Sequence, residues 1–252
     1  MAEKADMGLL KSAWQNAASR VIFLDYDGTL VPFHDHPSDS LLDTGTRRII
    51  KRLATDPANT LFIISGRDRD FLESQFGDME AAGLIAEHGF LIRPPSGEWQ
   101  QQIHVEDAWK QTIRELFRNY VENNPGCFIE EKESAIVFHY RTARNKAGGR
   151  VRPQISHEFE QIRRRFPALE LLNGDHVIEI KPGNFNKGNA ALAVLEDSRP
   201  DLILAAGDDL TDEQLFKQLP SYSFTLKIGQ PPTVARYYTE SQKEFLCILG
   251  EL

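Results

Sequence analysis

Val21-Ile22-Phe23-Leu24-Asp25-Tyr26-Asp27-Gly28-Thr29-Leu30 is the stretch on which the reading of the fold turns. Four apolar residues run straight into a carboxylate, then a second carboxylate, then a glycine. An apolar run bounded by charge is the pattern of a short strand buried on both faces, as in a parallel sheet. Alternation along such a segment sets Asp25 and Asp27 on one side and Tyr26 on the other. Gly28 lets the backbone turn sharply and approach a ligand closely. The same form recurs further along. Leu61-Phe62-Ile63-Ile64 precedes Ser65-Gly66-Arg67, and Leu202-Ile203-Leu204-Ala205-Ala206 precedes Gly207-Asp208-Asp209. Helical segments, notably Leu41 to Leu53 and Lys187 to Glu196, lie between them. Strand, polar turn, helix, strand is the rhythm of a doubly wound α/β sheet. Ligands of such sheets bind beyond the carboxyl ends of the strands. The three polar clusters all fall there and are expected to converge on one crevice.

The middle of the chain has another rhythm. A helix carries Trp109, Ile113, Leu116, Phe117 and Tyr120 on one stripe. Phe128 to Lys132 and Ala135 to Arg141 read as strands, and a second helix carries Ile155, Phe159, Ile162 and Phe166. Leu169 to Leu172 and Val177 to Ile180 then flank Asn173-Gly174, a strong two-residue turn signal. This α–β–β–α–β–β segment predicts a smaller α/β domain at 104–179, inserted into a core made of 1–103 and 180–252.

Composition bounds the function. The 252 residues carry 29 Lys+Arg against 37 Asp+Glu, a net charge of −8, with 41% hydrophobic residues. That is a globular chain rather than a disordered one. The acidic balance argues against a nucleic-acid partner. No apolar run approaches the ~18 residues of a membrane span, and there is no leader pattern at the N-terminus. With two cysteines there is no disulfide framework. A cytoplasmic location is expected.

The chemistry is concentrated in the carboxylates. Two like charges a few Å apart repel, so a proton or a cation must stand between them. Asp25 and Asp27 with the second cluster, Asp208-Asp209-Leu210-Thr211-Asp212, offer a hard oxygen site suited to Mg²⁺ and phosphate. Thr211 with Gln214 three residues on also reads as a capping box, so part of that cluster also starts a helix. An aspartate nucleophile can divide phosphoester hydrolysis into formation and breakdown of an aspartyl-phosphate. A second aspartate can act as acid, then as base. Ser65 is placed to hydrogen-bond a phosphate oxygen. Lys187 is placed to neutralise another and to steady Asp25. Glu130 and Lys132 share strand parity and can project from one sheet face, while Glu179 opposes Ile178 and Ile180.

These motifs in this order, Asp25-Tyr26-Asp27-Gly28-Thr29-Leu30, Ser65-Gly66-Arg67, Lys187 and Gly207-Asp208-Asp209, resemble those of the haloacid dehalogenase superfamily. Ala86-Glu87-His88-Gly89, Glu179-Ile180-Lys181-Pro182, Asp208 through Glu213 and the stretch Glu130 to Arg141 narrow the resemblance to its trehalose-6-phosphate phosphatase family. The resemblance covers about residues 20 to 240. It implies a Rossmann-like core, a parallel sheet with helices on both faces, with an inserted α/β cap of the C2 type. It implies a Mg²⁺-dependent phosphatase of trehalose 6-phosphate. The sequence shows no sign of the synthase domain of fused family members, so a stand-alone phosphatase is expected, and a monomer. The roles it implies are a nucleophile at Asp25, an acid/base at Asp27 whose backbone carbonyl meets the metal, and further metal positions at Asp208 with Asp209 or Asp212. Ser65 and Lys187 would hold the phosphate. Glu130, Lys132 and Glu179 would grip sugar hydroxyls, with Gly66, Arg67 and Arg141 also placed to meet substrate. Alternatives are a phosphatase of another sugar phosphate, such as glucosylglycerol phosphate or sucrose phosphate, and a non-catalytic phospho-acceptor or binding domain.

Overall fold

The run Arg20–Asp25 forms a strand whose residues are all buried. Its odd positions Val21 and Phe23 pack with Ala190, Ala191, Leu195, Leu215 and Phe216, while Ile22 and Leu24 on the other face are equally shielded. The apolar run is needed because both faces lie in a core. The computed structural model describes residues 2–34, 36–104, 107–143, 148–174, 176–196 and 198–252. The chain divides into two compact units, Met1–Gln102 with Asn186–Leu252, and Ile103–Phe185.

The first unit begins with β1 (Glu3–Lys4), α1 (Met7–Asn16), β2 (Arg20–Asp25), α2 (Thr44–Thr55), β3 (Asn59–Ile64), α3 (Arg69–Phe76), β4 (Ala82–Ala86), β5 (Leu91–Arg93) and β6 (Gln100–Gln101). The second unit contributes α4 (Lys110–Asn123), β7 (Phe128–Glu131), β8 (Ile136–His139), α5 (Gly148–Arg165), β9 (Leu169–Asn173) and β10 (Val177–Pro182). The chain then completes the first unit with α6 (Lys187–Leu195), β11 (Leu202–Gly207), α7 (Leu210–Gln218), β12 (Phe224–Ile228), β13 (Tyr237–Thr239) and α8 (Gln242–Glu251).

The sheet of the first unit has the order β1-β13-β12-β11-β2-β3-β4-β5-β6. It is parallel from β1 to β4, and β5 and β6 join antiparallel. β2 therefore lies between β11 and β3 at the centre, and Asp25 ends one strand while Ser65 follows its neighbour. The helix expected from Leu41 starts at Thr44, because the Asp43 carboxylate accepts the amides of Gly45 and Thr46 and fixes the N-terminus there.

The second unit is an antiparallel sheet, β7-β8-β10-β9. Ile136, Phe138, Ile178, Ile180 and Leu169 form one core with Ile113, Phe117, Ile155 and Phe159 of the two helices. The unit runs to Phe185 rather than to 179, because β10 continues through Pro182 paired with β9. Asn173 is a strand residue opposite Ile178, and the Gly174 amide donates to the Val177 carbonyl at 3.1 Å, so the chain reverses beyond the Asn173-Gly174 pair expected to turn. Among the described residues, no helix is long and apolar enough to cross a membrane.

Candidate active site

Parallel pairing of β2 with β11, in register from Arg20↔Leu202 to Leu24↔Ala206, brings Asp25 and Asp208 out side by side at the carboxyl end. Two glycines let the carboxylates crowd together. Gly28 has φ +82°, and a Cβ there would lie 2.3 Å from Asp208 Oδ2. A Cβ on Gly207 would lie 2.1 Å from Asp212 Cγ. Either methyl would displace an acidic side chain. Tyr26 points away, fully buried, with edge-to-face contacts to Phe71 and Phe76 and its hydroxyl donating to the Ser40 carbonyl at 2.7 Å.

Asp25, Asp208 and Asp212 each place a ligand oxygen within 4.8 Å of the others. The buried Lys187 Nζ donates to Asp25 Oδ1 at 2.6 Å and to Asp212 Oδ1 at 2.7 Å. Asp212 Oδ2 accepts the backbone amides of Asp208 and Asp209 at 2.9 and 3.1 Å. Lys187 stands among three carboxylates, with the Lys227 ammonium on the Asp208 carbonyl, so the acids still outnumber the ammonium groups. Burial pushes the Asp25 carboxyl up to about 8, Asp208 and Asp209 adding to the rise while Lys187 opposes it. Burial, with Asp212 and Asp209 nearby, likewise raises Asp208 to about 8. Asp212 is raised well above the ordinary range, mainly by burial and against the pull of Lys187. The Lys187 ammonium is held well above its own; burial opposes this, and the charges of Asp212 and Asp25 outweigh burial.

Asp25 Oδ2 and Asp208 Oδ1 are buried and have no hydrogen-bond partner. Two orphaned carboxylate oxygens beside a third carboxylate fit a hard divalent cation by the chemistry of the donor set. Two other metal candidates are differently placed. Asp209 is the N-cap of α7, its Oδ1 accepting the amides of Thr211 and Asp212, and with Asp212 it makes the capping box expected of Thr211 and Gln214. Burial opposes its ionisation, but Lys187 and the Thr211 hydroxyl outweigh this and hold it down at about 2. Asp27 turns its carboxylate to Arg67, whose Nε and Nη2 donate to Oδ2 and Oδ1, both at 2.7 Å. Arg67, expected to meet substrate, thus meets a carboxylate.

Ser65 follows β3 and is buried, its Oγ accepting the Arg67 amide at 3.1 Å. Gly66 is packed under His88, whose ring atoms lie 2.6 Å from where a Cβ would stand. His88 belongs to the Ala86-Glu87-His88-Gly89 stretch that narrows the resemblance, which assigns it no role. Its unusual backbone, φ +57°, has no sequence signal beyond its place before Gly89.

In the second unit the face of the sheet away from the helices is polar. Lys132 Nζ pairs with Glu179 Oε2 at 3.2 Å. Glu130 Oε2 meets His139 Nε2 at 2.6 Å, and His139 stacks on Phe128 with ring centroids 4.3 Å apart and planes 5° from parallel. Burial pushes the Glu130 carboxyl up, but His139 and Lys132 outweigh it and hold the group below its ordinary value. Phe128 lies outside the motif stretches and His139 within one that assigns it no role, although strand parity puts Phe128 on the face of Glu130, and His139 is its cross-strand partner. Arg141 lies two residues beyond β8, half-buried.

Comparison with known proteins gives one consistent answer. The family model described as trehalose-phosphatase matches residues 23–243. A bifunctional trehalose-6-phosphate synthase/phosphatase of Thermoproteus tenax is 34% identical over 250 residues, covering 99% of this chain and 34% of that protein. The chain spans about a third of the length of the curated relatives it matches. Among solved structures, the C-terminal domain of the C. albicans trehalose-6-phosphate phosphatase superposes with a TM-score of 0.93 at 28% identity, covering 100% of this chain and 97% of that one. A haloacid dehalogenase-like hydrolase of Bacteroides thetaiotaomicron, at 16% identity and a TM-score of 0.66 over 93% of this chain and 100% of that one, shares the fold.

Proposed function

The chain belongs to the trehalose-phosphatase family, and from that premise we propose that it hydrolyses trehalose 6-phosphate to trehalose and inorganic phosphate, with Mg²⁺ and through an aspartyl-phosphate. The observation that carries this reading is the buried Asp25, bonded to Lys187 through one oxygen while the other, beside Asp208, has no partner. A buried, singly free carboxylate oxygen at the mouth of a parallel sheet is a nucleophile's placing.

Asp25, Asp208 and Asp212 are the side chains that would hold the cation, with the Asp27 carbonyl joining them. When bound, Mg²⁺ supplies positive charge that favours the ionised carboxylates and offsets the charge of the phosphoryl oxygens. The residues do the rest. A carboxylate oxygen of Asp25 attacks phosphorus and an O–P bond forms, the other oxygen being the one that would meet the cation. The P–O bond to the sugar breaks, and the departing alkoxide takes a proton from the Asp27 carboxyl. Water then attacks the same phosphorus, giving its proton to the Asp27 carboxylate. The Asp25 O–P bond breaks, and phosphate leaves. Ser65 and Lys187 orient the phosphoryl oxygens throughout. Glu130, Lys132 and Glu179 present the several donors and acceptors that a hydroxyl-rich ring needs, and their mutual pairing keeps them ordered before substrate arrives.

The test is phosphate release from a panel of sugar phosphates with Mg²⁺ and with EDTA. Preference for trehalose 6-phosphate, abolished by EDTA, is the expected result. Preference for another sugar phosphate would overturn the substrate and keep the chemistry, and no release by folded protein would overturn both.

A further inference from the structure

We infer that Arg67 is a positioning residue that aims Asp27, and that the left-handed turn at Glu87-His88 holds Arg67 to that task. The inference rests on the reading of Asp27 as the acid/base.

A lone carboxylate at the end of a loop can rotate about its Cβ–Cγ bond. A planar guanidinium bonding both its oxygens, Nε to Oδ2 and Nη2 to Oδ1 at 2.7 Å each, fixes the plane of the carboxylate and its reach. The fork is itself immobilised. Arg67 Cζ lies over the Phe71 ring at 4.3 Å, and its side chain is 15% exposed.

The backbone beneath is pinned from one side. Ser65 N donates to the Ile85 carbonyl, the Glu87 amide to the Arg67 carbonyl, and the His88 amide to the Ser65 carbonyl, each at 2.9 Å. To deliver the last two amides the chain holds consecutive non-glycine residues in the left-handed region, Glu87 at φ +47° and His88 at φ +57°. Such conformations are costly and persist where the surroundings over-determine them, most often at functional sites. Here the ring of His88 closes on Gly66, leaving no room for a side chain. Gly89, at φ +107°, packs on Asn186 and Ala190, where α6 begins and Lys187 is mounted. One turn therefore braces the loop that carries Ser65 and Arg67 and abuts the helix that carries Lys187.

The chemistry separates this role from a structural one. p-Nitrophenolate departs without needing a proton, whereas a sugar alkoxide needs one. Breakdown of the aspartyl-phosphate needs a base in either case. If Arg67 aims Asp27, Arg67→Met should lower kcat on the sugar phosphate the wild type prefers by about 10²-fold or more, with KM within about threefold. On p-nitrophenyl phosphate the same variant should give a burst approaching one nitrophenolate per site, then slow turnover. Arg67→Lys, a point charge in place of a fork, should fall between. His88→Asn, which tolerates the left-handed backbone, should stay near wild type, and His88→Val, which does not, should behave as Arg67→Met. If the valine variant does not fold, the burst in Arg67→Met still decides. A raised KM with kcat intact would make Arg67 a substrate ligand and overturn the inference. Equal losses on both substrates without a burst would reduce it to a structural residue. Failure of the trehalose reading would show separately, in the wild-type panel.

Discussion

Lys187 and Lys132 each sit among carboxylates, Lys187 between Asp25 and Asp212, Lys132 against Glu179 with Glu130 two residues before it. In the first unit the backbone holds the acids. Amides of Asp208 and Asp209 grip Asp212, and Gly28 and Gly207 clear space that no other residue would leave. In the second unit, side chains on a strand face hold one another: Lys132 on Glu179, His139 on Glu130, Phe128 on His139. In the first arrangement Gly28, Gly207 and Asp212 cannot be replaced without rebuilding a turn. The second can be altered one side chain at a time on an unchanged sheet. On the proposed function, reaction type is tied to the fold, and choice of sugar to replaceable letters.

The largest expected effect tests the backbone-held side. Asp25→Asn should lower kcat by at least about 10⁴-fold with the circular dichroism unchanged. Residual activity above about one part in a hundred would break the comparison. Next, Lys132→Met should raise KM for the sugar phosphate by about 10- to 100-fold, with turnover of a small phosphate ester little affected. If both substrates suffer alike, the strand face is not a separate recognition surface. A third measurement follows thermal unfolding against pH. Asp25 and Asp208 carry folded values near 8 against an ordinary 3.8, so the folded chain binds more protons than the unfolded one between roughly pH 4 and 8. Metal-free protein should therefore lose stability as pH rises through that window, and Mg²⁺ should raise Tm more at pH 8 than at pH 5. A flat metal-free profile would mean that the acids are not confined as described. The smallest effect is a control on strand parity. Glu131, next to Glu130 but on the opposite face, pairs with Arg114 in the open. Glu131→Ala should leave KM within about twofold and Tm within about a degree. A KM change matching that of a Glu130 variant would dissolve the distinction between faces.

How much of this the sequence discloses differs by feature. β2, β3 and β11 are legible because strands buried on both faces must be apolar throughout. The inserted unit is legible from the helical stripes of α4 and α5. The short strands β1, β6 and β13 are not, since two or three residues carry no period. The turn at Asn173-Gly174 misleads because cross-strand pairing with Ile178 outweighs local turn preference. At the site, residue types and order disclose the carboxylates but not their division of labour. Asp209 and Asp212 are chemically identical, and only the backbone angles at the start of α7 make one a cap and leave the other facing Lys187. That Arg67 faces Asp27 depends on a loop conformation propped by residues twenty positions away.

The first unit is written in two pieces with the whole second unit between them. During synthesis, β2 emerges early and can gain β3 and β4, but its other neighbour, β11, is translated after every residue of the second unit. A central strand thus waits with one edge unpaired, a condition that invites mispairing. The same delay keeps Asp25 apart from Lys187, Asp208 and Asp212 until the residues that follow the second unit have left the ribosome. A truncated product ending before Lys187 carries the strand of Asp25 but none of Lys187, Asp208 and Asp212.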